Sequence, residues 1–474
     1  MISIFILIFI SLFTLLQKRL DLFLYLFLFS LIYFPLLLYW QGYYQYRDFV
    51  PLALLFLLIT TNLTNVIKYA FFRKTIIKLV VIVIALILVI SIASFTNDYN
   101  TFKGLLFFRN EFWGVLLFSF IACTKIPQIN INRILLFIIT TQFVLVILQL
   151  FGGSAISKLF LLIEFENNKG IMIEGTTASV VEMTVESGGY LLTGSFCKIT
   201  KLANFMALFI TFWTGYRMSK NKKFYLLDFI VIISSFIVII LSGVRAPLVS
   251  GLIGFVMSFT FVVPNKVRNF RFLLICIGII LVTLPTLMVL GKSSIISGAN
   301  YGDGANRILS IFGVLSNWDN LNTSNSYTLG RSIYMLQFVS WQTVLFGTGI
   351  YNINPMGYGV GLASISDCML VFVIAEYGII VLALCLMIYQ QAIVEIKRVC
   401  DIRDYRTILV LFIVIIIQTI VDPGIFDTLT KYMFYILCAL VLQESKMKNM
   451  NIIKYRQYAK RKERINYRRN RILR

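Results

Sequence analysis

Histidine is absent from this sequence of 474 residues, and charged residues make up only 14% of it. Without histidine, a zinc site built on imidazole and a Ser-His or Cys-His nucleophile are both unavailable. The seven cysteines are scattered without metal-ligand spacing and too sparse for a disulfide scaffold. Hydrophobic residues reach 59%, against about 45–50% in a soluble domain. This balance excludes an ordinary cytosolic enzyme.

Long apolar segments are the dominant feature of the chain. About 17–25 apolar residues are enough for a helix to cross a bilayer, and we count thirteen candidate segments, so we predict an all-α polytopic membrane protein of about 12–13 transmembrane helices. The predicted spans lie near residues 1–16, 21–39, 49–62, 76–95, 102–122, 132–151, 195–216, 224–241, 247–263, 271–290, 366–390, 407–420 and 428–443.

Basic residues are concentrated in alternate connections. Cytoplasmic loops carry an excess of Lys and Arg, and one set of connections, together with the tail after Gln443, holds most of the 43 basic residues. We therefore expect the amino terminus outside and the carboxyl terminus in the cytoplasm. The formal net charge of +22 favours contact with anionic lipid over nucleic acid, because no soluble domain is available to hold a strand.

Two predicted outer connections are long, and long connections usually have a function. We predict six regions: amino-terminal helices at 1–151, a first outer loop at 152–194, helices at 195–290, a second outer loop at 291–365, helices at 366–443 and a basic tail at 444–474. Several glutamates in the first loop could form a glycosidase pair, but a solvated face explains them better.

A few arginines lie beside or inside the predicted spans, where a charge normally faces a cavity or an anionic partner. Arg245 lies in LSGVRAPLVSG, between Gly243 and Pro247, at the predicted outer start of a helix whose positive dipole end suits an anion. Snorkelling to lipid headgroups is the alternative. Arg109 lies within a predicted span and contacts either another helix or a substrate.

Three motifs follow one another in the second half of the chain: TLGRSIYMLQFVSW from Thr328, LFGTGIYN from Leu345 and SISDCMLVFVIAEYGII from Ser364. With LSGVRAPL and GSFCKITKLANFMAL upstream, this order resembles the O-antigen polymerase and ligase superfamily. That resemblance implies a membrane glycosyltransferase of the C-type fold that uses a polyprenyl-pyrophosphate-linked oligosaccharide as donor and needs no cofactor or metal.

The resemblance also implies roles for particular residues. Arg245 and Arg331 match the motif arginines and are expected to bind the pyrophosphate as it leaves. Asp367 stands near the position of the ligases' histidine, so it is the candidate base, although it could equally cap the helix. The remaining candidate substrate contacts are Arg109, Lys198, Lys201, Arg307 and Glu376. For Lys198 and Lys201 interfacial anchoring is an equal alternative, and Glu376 is more simply structural.

Residues 332–346 form an amphipathic segment, which we interpret as an interfacial helix rather than a core helix. The predicted function is polymerisation of lipid-linked repeat units for O-antigen, capsule or exopolysaccharide. A ligase or oligosaccharyltransferase of the same fold is one alternative. A lipid-linked oligosaccharide flippase is another, although the two halves show no repeat. Expected partners are membrane lipids, a chain-length regulator and a flippase.

Overall fold

The computed structural model describes residues 2–41, 49–67, 70–97, 109–123, 131–151, 193–196, 199–220, 224–242, 245–262, 341–347, 369–421 and 429–445. These residues are helical or lie in short turns, with no strand among them. The helices are α1 Ile2–Leu16, α2 Leu20–Ile32, α3 Phe34–Trp40, α4 Phe49–Ile67, α5 Ala70–Asn97, α6 Arg109–Cys123, α7 Ile131–Phe151, α8 Ile199–Ser219, α9 Leu226–Ser242, α10 Arg245–Thr260, α11 Trp341–Phe346, α12 Met369–Val399, α13 Ile402–Val421 and α14 at 429–445.

Proline and glycine account for the interruptions. Pro51 and Pro247 lie in the first turns of α4 and α10, where a proline leaves no hydrogen bond unmade. The chain breaks between α2 and α3 next to Pro35, because a proline has no N–H with which to continue the hydrogen bonds of α2. Gly378 interrupts α12 with φ 85° and ψ 163°, a conformation that only glycine adopts readily.

The centre of the molecule is α8, which packs against α9, α10 and α13. Small residues allow the close approach: an added Cβ at Gly254 would overlap Thr211 and Val414. Trp213 is 1% exposed. A second aromatic group joins α12, α13 and α14, where Tyr389 lies 5.4 Å from both Phe434 and Tyr435 between ring centroids. The core is therefore continuous across the carboxyl-terminal helices.

The outward faces of several helices are apolar. Phe5, Phe9 and Phe13 of α1 are 65%, 69% and 53% exposed, and Ile77 and Leu88 of α5 are 64% and 58% exposed. Patches of this kind indicate an apolar environment or a partner. Within the described residues, one segment, Gly378–Val399, is long and apolar enough to cross a membrane, and several shorter apolar helices accompany it. Together they hint at a membrane protein.

The helices have two common ends, named here from residues of α13. Helix α13 runs antiparallel to α8, because Gln418 Nε2 donates to the Asn204 carbonyl and Thr407 Oγ1 donates to the Gly215 carbonyl. We call the two sides the Gln418 end and the Asp404 end. Helix α8 begins at the Gln418 end and finishes at the Asp404 end.

The predicted segments coincide with helices wherever the structure describes them, but several bounds differ. The segment predicted at 21–39 is divided into α2 and α3. The segment predicted at 366–390 belongs to a helix that continues to Val399, because its last turns carry polar and charged side chains that a hydropathy window does not include. The segment predicted at 271–290 lies outside the described residues.

Candidate functional site

The entrance to α8 is held by buried amide side chains. Gln149 Oε1 accepts the backbone N–H groups of Thr193 and Gly194 at 3.1 and 3.0 Å. Gln142 Oε1 accepts the N–H of Ser195 at 3.0 Å, and Gln142 Nε2 lies 2.6 Å from Ser195 Oγ. Buried backbone donors outside regular structure need such acceptors. The two glutamines of α7 therefore fix where the chain enters the bundle.

Helices α8 and α10 run parallel and in register. A Cβ added to Gly251 would lie 3.3 Å from the Ala207 Cβ, and one turn further on Gly254 faces Thr211. Counting back equally from Ala207 and Gly251 leads to Lys201 and Arg245. The two basic residues therefore occupy the same level along the two helices, at the Gln418 end.

Helices α6 and α14 show the same parallel arrangement. Gly114 lies against the Tyr435 ring, and Gln443 Nε2 donates to the Ile121 carbonyl. Counting back equally from Ile121 and Gln443 leads to Arg109 and Lys431. Arg109 is the first residue of α6, and Lys431 is the third residue of α14.

One contact relates the two pairs. Tyr216 of α8 donates to Glu444 of α14 at 2.8 Å, and counting back equally from both leads to Ala203 and Lys431. Four basic residues therefore lie within about two residues of one level, or about 3 Å at 1.5 Å per residue. We call this set the cation layer: Arg109, Lys201, Arg245 and Lys431.

Few acidic residues lie near the cation layer in the described helices. Among the helix positions described near this level, Glu111 of α6 is the one acidic residue. Lys431 is 1% exposed and Lys201 is half-buried. Lys201 and Lys431 both have interactions within the protein. The shared level of the four basic residues makes this end of the helices the candidate site for an anionic ligand.

Two buried amides border the cation layer and were not identified from the sequence. Asn204 is 3% exposed and Gln418 is 0% exposed. Asn204 Oδ1 and Gln418 Oε1 have no donor among the described residues, and a buried acceptor left unpaired is costly. Both oxygens suit a hydroxyl donor. The sequence could have indicated both amides, because each one interrupts an apolar segment, as Asn204 does in KLANFMAL.

Helix α11 abuts the break in α12. An added Cβ at Gly378 would overlap the Leu345 carbonyl and the Phe346 nitrogen, so the two backbones touch there. Gly347, which follows α11, also has a positive φ of 80°. Of the predicted interfacial helix at 332–346, the structure describes Trp341–Phe346, with Trp341 69% exposed. Helix α11 therefore packs against α12 at this break.

The structure places three of the predicted site residues at one level along the bundle. Arg109, Lys201 and Arg245 share the cation layer, while Glu376 lies in α12 before the break at Gly378. Outside the described residues lie Lys198, Arg307, Arg331 and Asp367. Their roles, including that of Asp367 as base, stay predictions.

The Asp404 end contains buried ion pairs. Asp228 is fully buried and accepts from Arg217 Nε at 2.7 Å, Arg217 Nη2 at 2.8 Å, Trp213 Nε1 at 3.0 Å and the Tyr225 N–H at 2.8 Å. The fork of the guanidinium matches the carboxylate. This arrangement joins the end of α8 to the start of α9.

Lys220 forms the second cluster at the Asp404 end. Its Nζ lies 2.9 Å from Asp404 Oδ2 and 3.4 Å from Glu444 Oε2. Burial lowers the pKa of Lys220, but the two carboxylates oppose that effect more strongly and leave the pKa above its ordinary 10.5. The charges of these two clusters are paired within the protein, so the clusters are structural contacts.

Comparisons with protein-family models and with curated proteins gave no match to this chain. Within the described residues, no group of three or more His, Cys, Asp or Glu side chains could hold a metal ion. The basic residues and amides at the Gln418 end are therefore the basis for assigning a function.

Proposed function

We propose that the protein polymerises lipid-linked oligosaccharide repeat units. It transfers a growing glycan from polyprenyl pyrophosphate to the non-reducing end of another lipid-linked unit. The observation that supports this proposal is the cation layer, four basic residues at one level of the described helices. A diphosphate is the kind of anion that such a layer would hold, since guanidinium groups match phosphate oxygens.

The proposed reaction is an inline displacement. The acceptor hydroxyl oxygen forms a bond to the anomeric carbon while the bond from that carbon to the pyrophosphate oxygen breaks. The electron pair of the broken bond stays on the pyrophosphate, and the hydroxyl proton passes to a base, for which Asp367 is the candidate. Basic residues fixed before the reaction stabilise the negative charge that grows on the leaving group. Arg245 and Arg331 are assigned this role.

The buried amides have a place in the same scheme. Asn204 Oδ1 and Gln418 Oε1 have no donor among the described residues and border the cation layer. Sugar hydroxyl groups would supply the missing donors. A site that combines basic residues with amide acceptors fits a glycan bearing a diphosphate better than a simple anion.

The membrane arrangement belongs to this proposal. The exposed apolar faces of α1 and α5 would contact lipid. The bilayer core accepts apolar side chains and excludes charged groups and unpaired backbone. With the amino terminus outside, the Gln418 end faces the extracytoplasmic side of a bacterial inner membrane and the Asp404 end faces the cytoplasm. The 12–13 transmembrane helices, the C-type fold and partnership with a flippase and a chain-length regulator are parts of this proposal.

Purified protein incubated with one lipid-linked repeat unit tests the proposal. Longer lipid-linked glycans are expected. Transfer only to an added foreign acceptor would instead identify a ligase or oligosaccharyltransferase, and movement across a vesicle membrane without a new glycosidic bond would identify a flippase.

The residues are tested in the same assay. Arg245→Ala and Arg331→Ala should abolish the ladder of products, and Arg245→Lys should restore little of it because an ammonium lacks the bidentate fork. Arg398→Ala is the matched control, since Arg398 is exposed near the Asp404 end. Normal ladders from both alanine variants would remove the assigned role.

A further inference from the structure

Five buried residues form a closed polar network beside the first turns of α8. We call them the amide clamp: Gln142, Gln149, Thr193, Gly194 and Ser195. Besides the bonds described above, Gln149 Nε2 donates to Thr193 Oγ1 at 3.0 Å, and Thr193 Oγ1 donates to the Gly194 carbonyl at 3.3 Å. Each side-chain oxygen and nitrogen of the clamp thus has a partner within the protein. A fully satisfied buried network is rigid, so the clamp holds its surroundings in place and is not itself a ligand site.

The amide clamp packs against the residue that follows Lys201. Gly194 has a φ of 54°, which glycine adopts without strain, and a Cβ added there would lie 3.2 Å from Leu202 Cδ1. The next side chain but one, that of Phe196, lies 5.1 Å from Phe205 between ring centroids. The segment at 193–196 therefore lies along the first two turns of α8, and Lys201 is the third residue of that helix.

The amide clamp also ties α8 to α2. Ser195 Oγ donates to the carbonyl of Ile32, the last residue of α2, at 2.6 Å. Five residues earlier in α2, Phe27 meets Tyr432 edge to face, with 5.9 Å between ring centroids. Tyr432 directly follows Lys431 in α14. The clamp therefore connects the start of α8 to a helix that packs beside another lysine of the cation layer.

We propose that the amide clamp positions Lys201 in the cation layer, which makes Gln142 and Gln149 positioning residues for a diphosphate bound there. Because the ligand is a diphosphate, this assignment rests on the proposed function. The glutamine oxygens accept buried backbone N–H groups that would otherwise be unpaired. Without them, the segment at 193–196 would move to reach other acceptors, and the first turns of α8 would move with it. A lysine ammonium at the end of a flexible stem then no longer meets the phosphate oxygens.

Calorimetric titration of the purified full-length protein in detergent with inorganic pyrophosphate tests the assignment. Gln149→Met keeps the length of the side chain but removes its amide, and it should weaken pyrophosphate binding by about 10- to 100-fold, as for the loss of one hydrogen bond to a charged group. Lys201→Met should weaken binding to a similar extent. The variant that carries both changes should bind no more weakly than Lys201→Met, because the clamp acts through the lysine.

A milder variant and a control accompany this pair. Ser195→Ala removes the hydroxyl that reaches α2 but keeps the backbone N–H bond to Gln142, so it should weaken pyrophosphate binding by about 2- to 10-fold, the range for one neutral hydrogen bond. This effect should also disappear when Lys201 is methionine. Gln390→Met changes an exposed glutamine of α12 and should leave the affinity unchanged.

The outcomes separate a positioning role from a purely structural one. A clamp that only stabilises the fold would weaken pyrophosphate binding equally with and without Lys201, and this result would overturn the assignment. Unchanged affinity in both Gln149→Met and Ser195→Ala would overturn it too. Coupled loss of pyrophosphate binding in a protein that forms no glycan ladder would count against the proposed transfer alone. A wild-type protein that does not bind pyrophosphate would remove both.

Discussion

Replacing Asp228 with Ala should destabilise the bundle far more than replacing any exposed acid. The carboxylate is fully buried and accepts four hydrogen bonds, two of them from the Arg217 guanidinium, whose side chain is 11% exposed. Removing it leaves a buried cation without its counter-charge. The Trp213 indole and the Tyr225 N–H lose their acceptor at the same time.

The expected loss is about 3–5 kcal/mol, the usual cost of breaking a buried pair by removing one partner. Hydrogen bonds to charged groups contribute about 1.5–3 kcal/mol each, so the two guanidinium bonds alone account for the same range. Since about 1.4 kcal/mol is tenfold in an equilibrium constant, the folded-to-unfolded ratio should fall by roughly two to four orders of magnitude.

Equilibrium unfolding of the purified protein in mixed micelles with a denaturing detergent, followed by tryptophan fluorescence, measures this loss. Asp21→Ala is the matched control, because Asp21 pairs with an exposed arginine and should lose much less stability. Arg217→Met combined with Asp228→Leu should recover most of the loss, since apolar replacement of a whole buried pair is often neutral. The reasoning is refuted if Asp228→Ala costs no more than Asp21→Ala, or if the double variant is no better than Asp228→Ala.

Three further changes have defined outcomes. Gly378→Ala should displace α11 and reduce transfer in the ladder assay, because its Cβ would overlap the Leu345 carbonyl; Ile379→Ala, at the exposed next residue, should keep activity. Burial raises the pKa of the Cys400 thiol to about 11, so its maleimide labelling, followed in a variant with no other cysteine, should stay slow until the pH approaches that value. Lys220 has a raised pKa, so its stabilisation is complete below pH 10.5 and is lost as the pH rises through the higher folded value; alkaline unfolding of Lys220→Met should lack this component.

Much of the helical layout could be predicted from apolar runs, because each helix is sufficiently apolar to be recognised alone. The start of α10 at Arg245 and the end of α13 follow this rule. The break at Gly378 does not, since the glycine lies inside a continuous apolar segment and its positive φ is imposed by the contact with α11. The extension of α12 to Val399 was missed because a helix does not end where its apolar face ends.

The candidate site was only partly predictable. Arg109, Lys201 and Arg245 stand out as charges beside apolar segments, but no local pattern indicates that they share one level. Asn204 and Gln418 come together only because α8 and α13 are antiparallel neighbours. The Asp228 cluster was missed for a similar reason, since Arg217 and Asp228 belong to different helices.

Register between α8 and α10 is what makes the cation layer, and small residues determine that register. Gly251 and Gly254 let α10 lie directly against Ala207 and Thr211, and this contact places Arg245 level with Lys201. A slip of one helical turn would move Arg245 by about 5.4 Å, well beyond a charge-assisted hydrogen bond of about 2.7–2.9 Å. Under the proposed function, the two basic residues could then no longer bind one diphosphate together. The glycines of α10 therefore determine whether the proposed site can form.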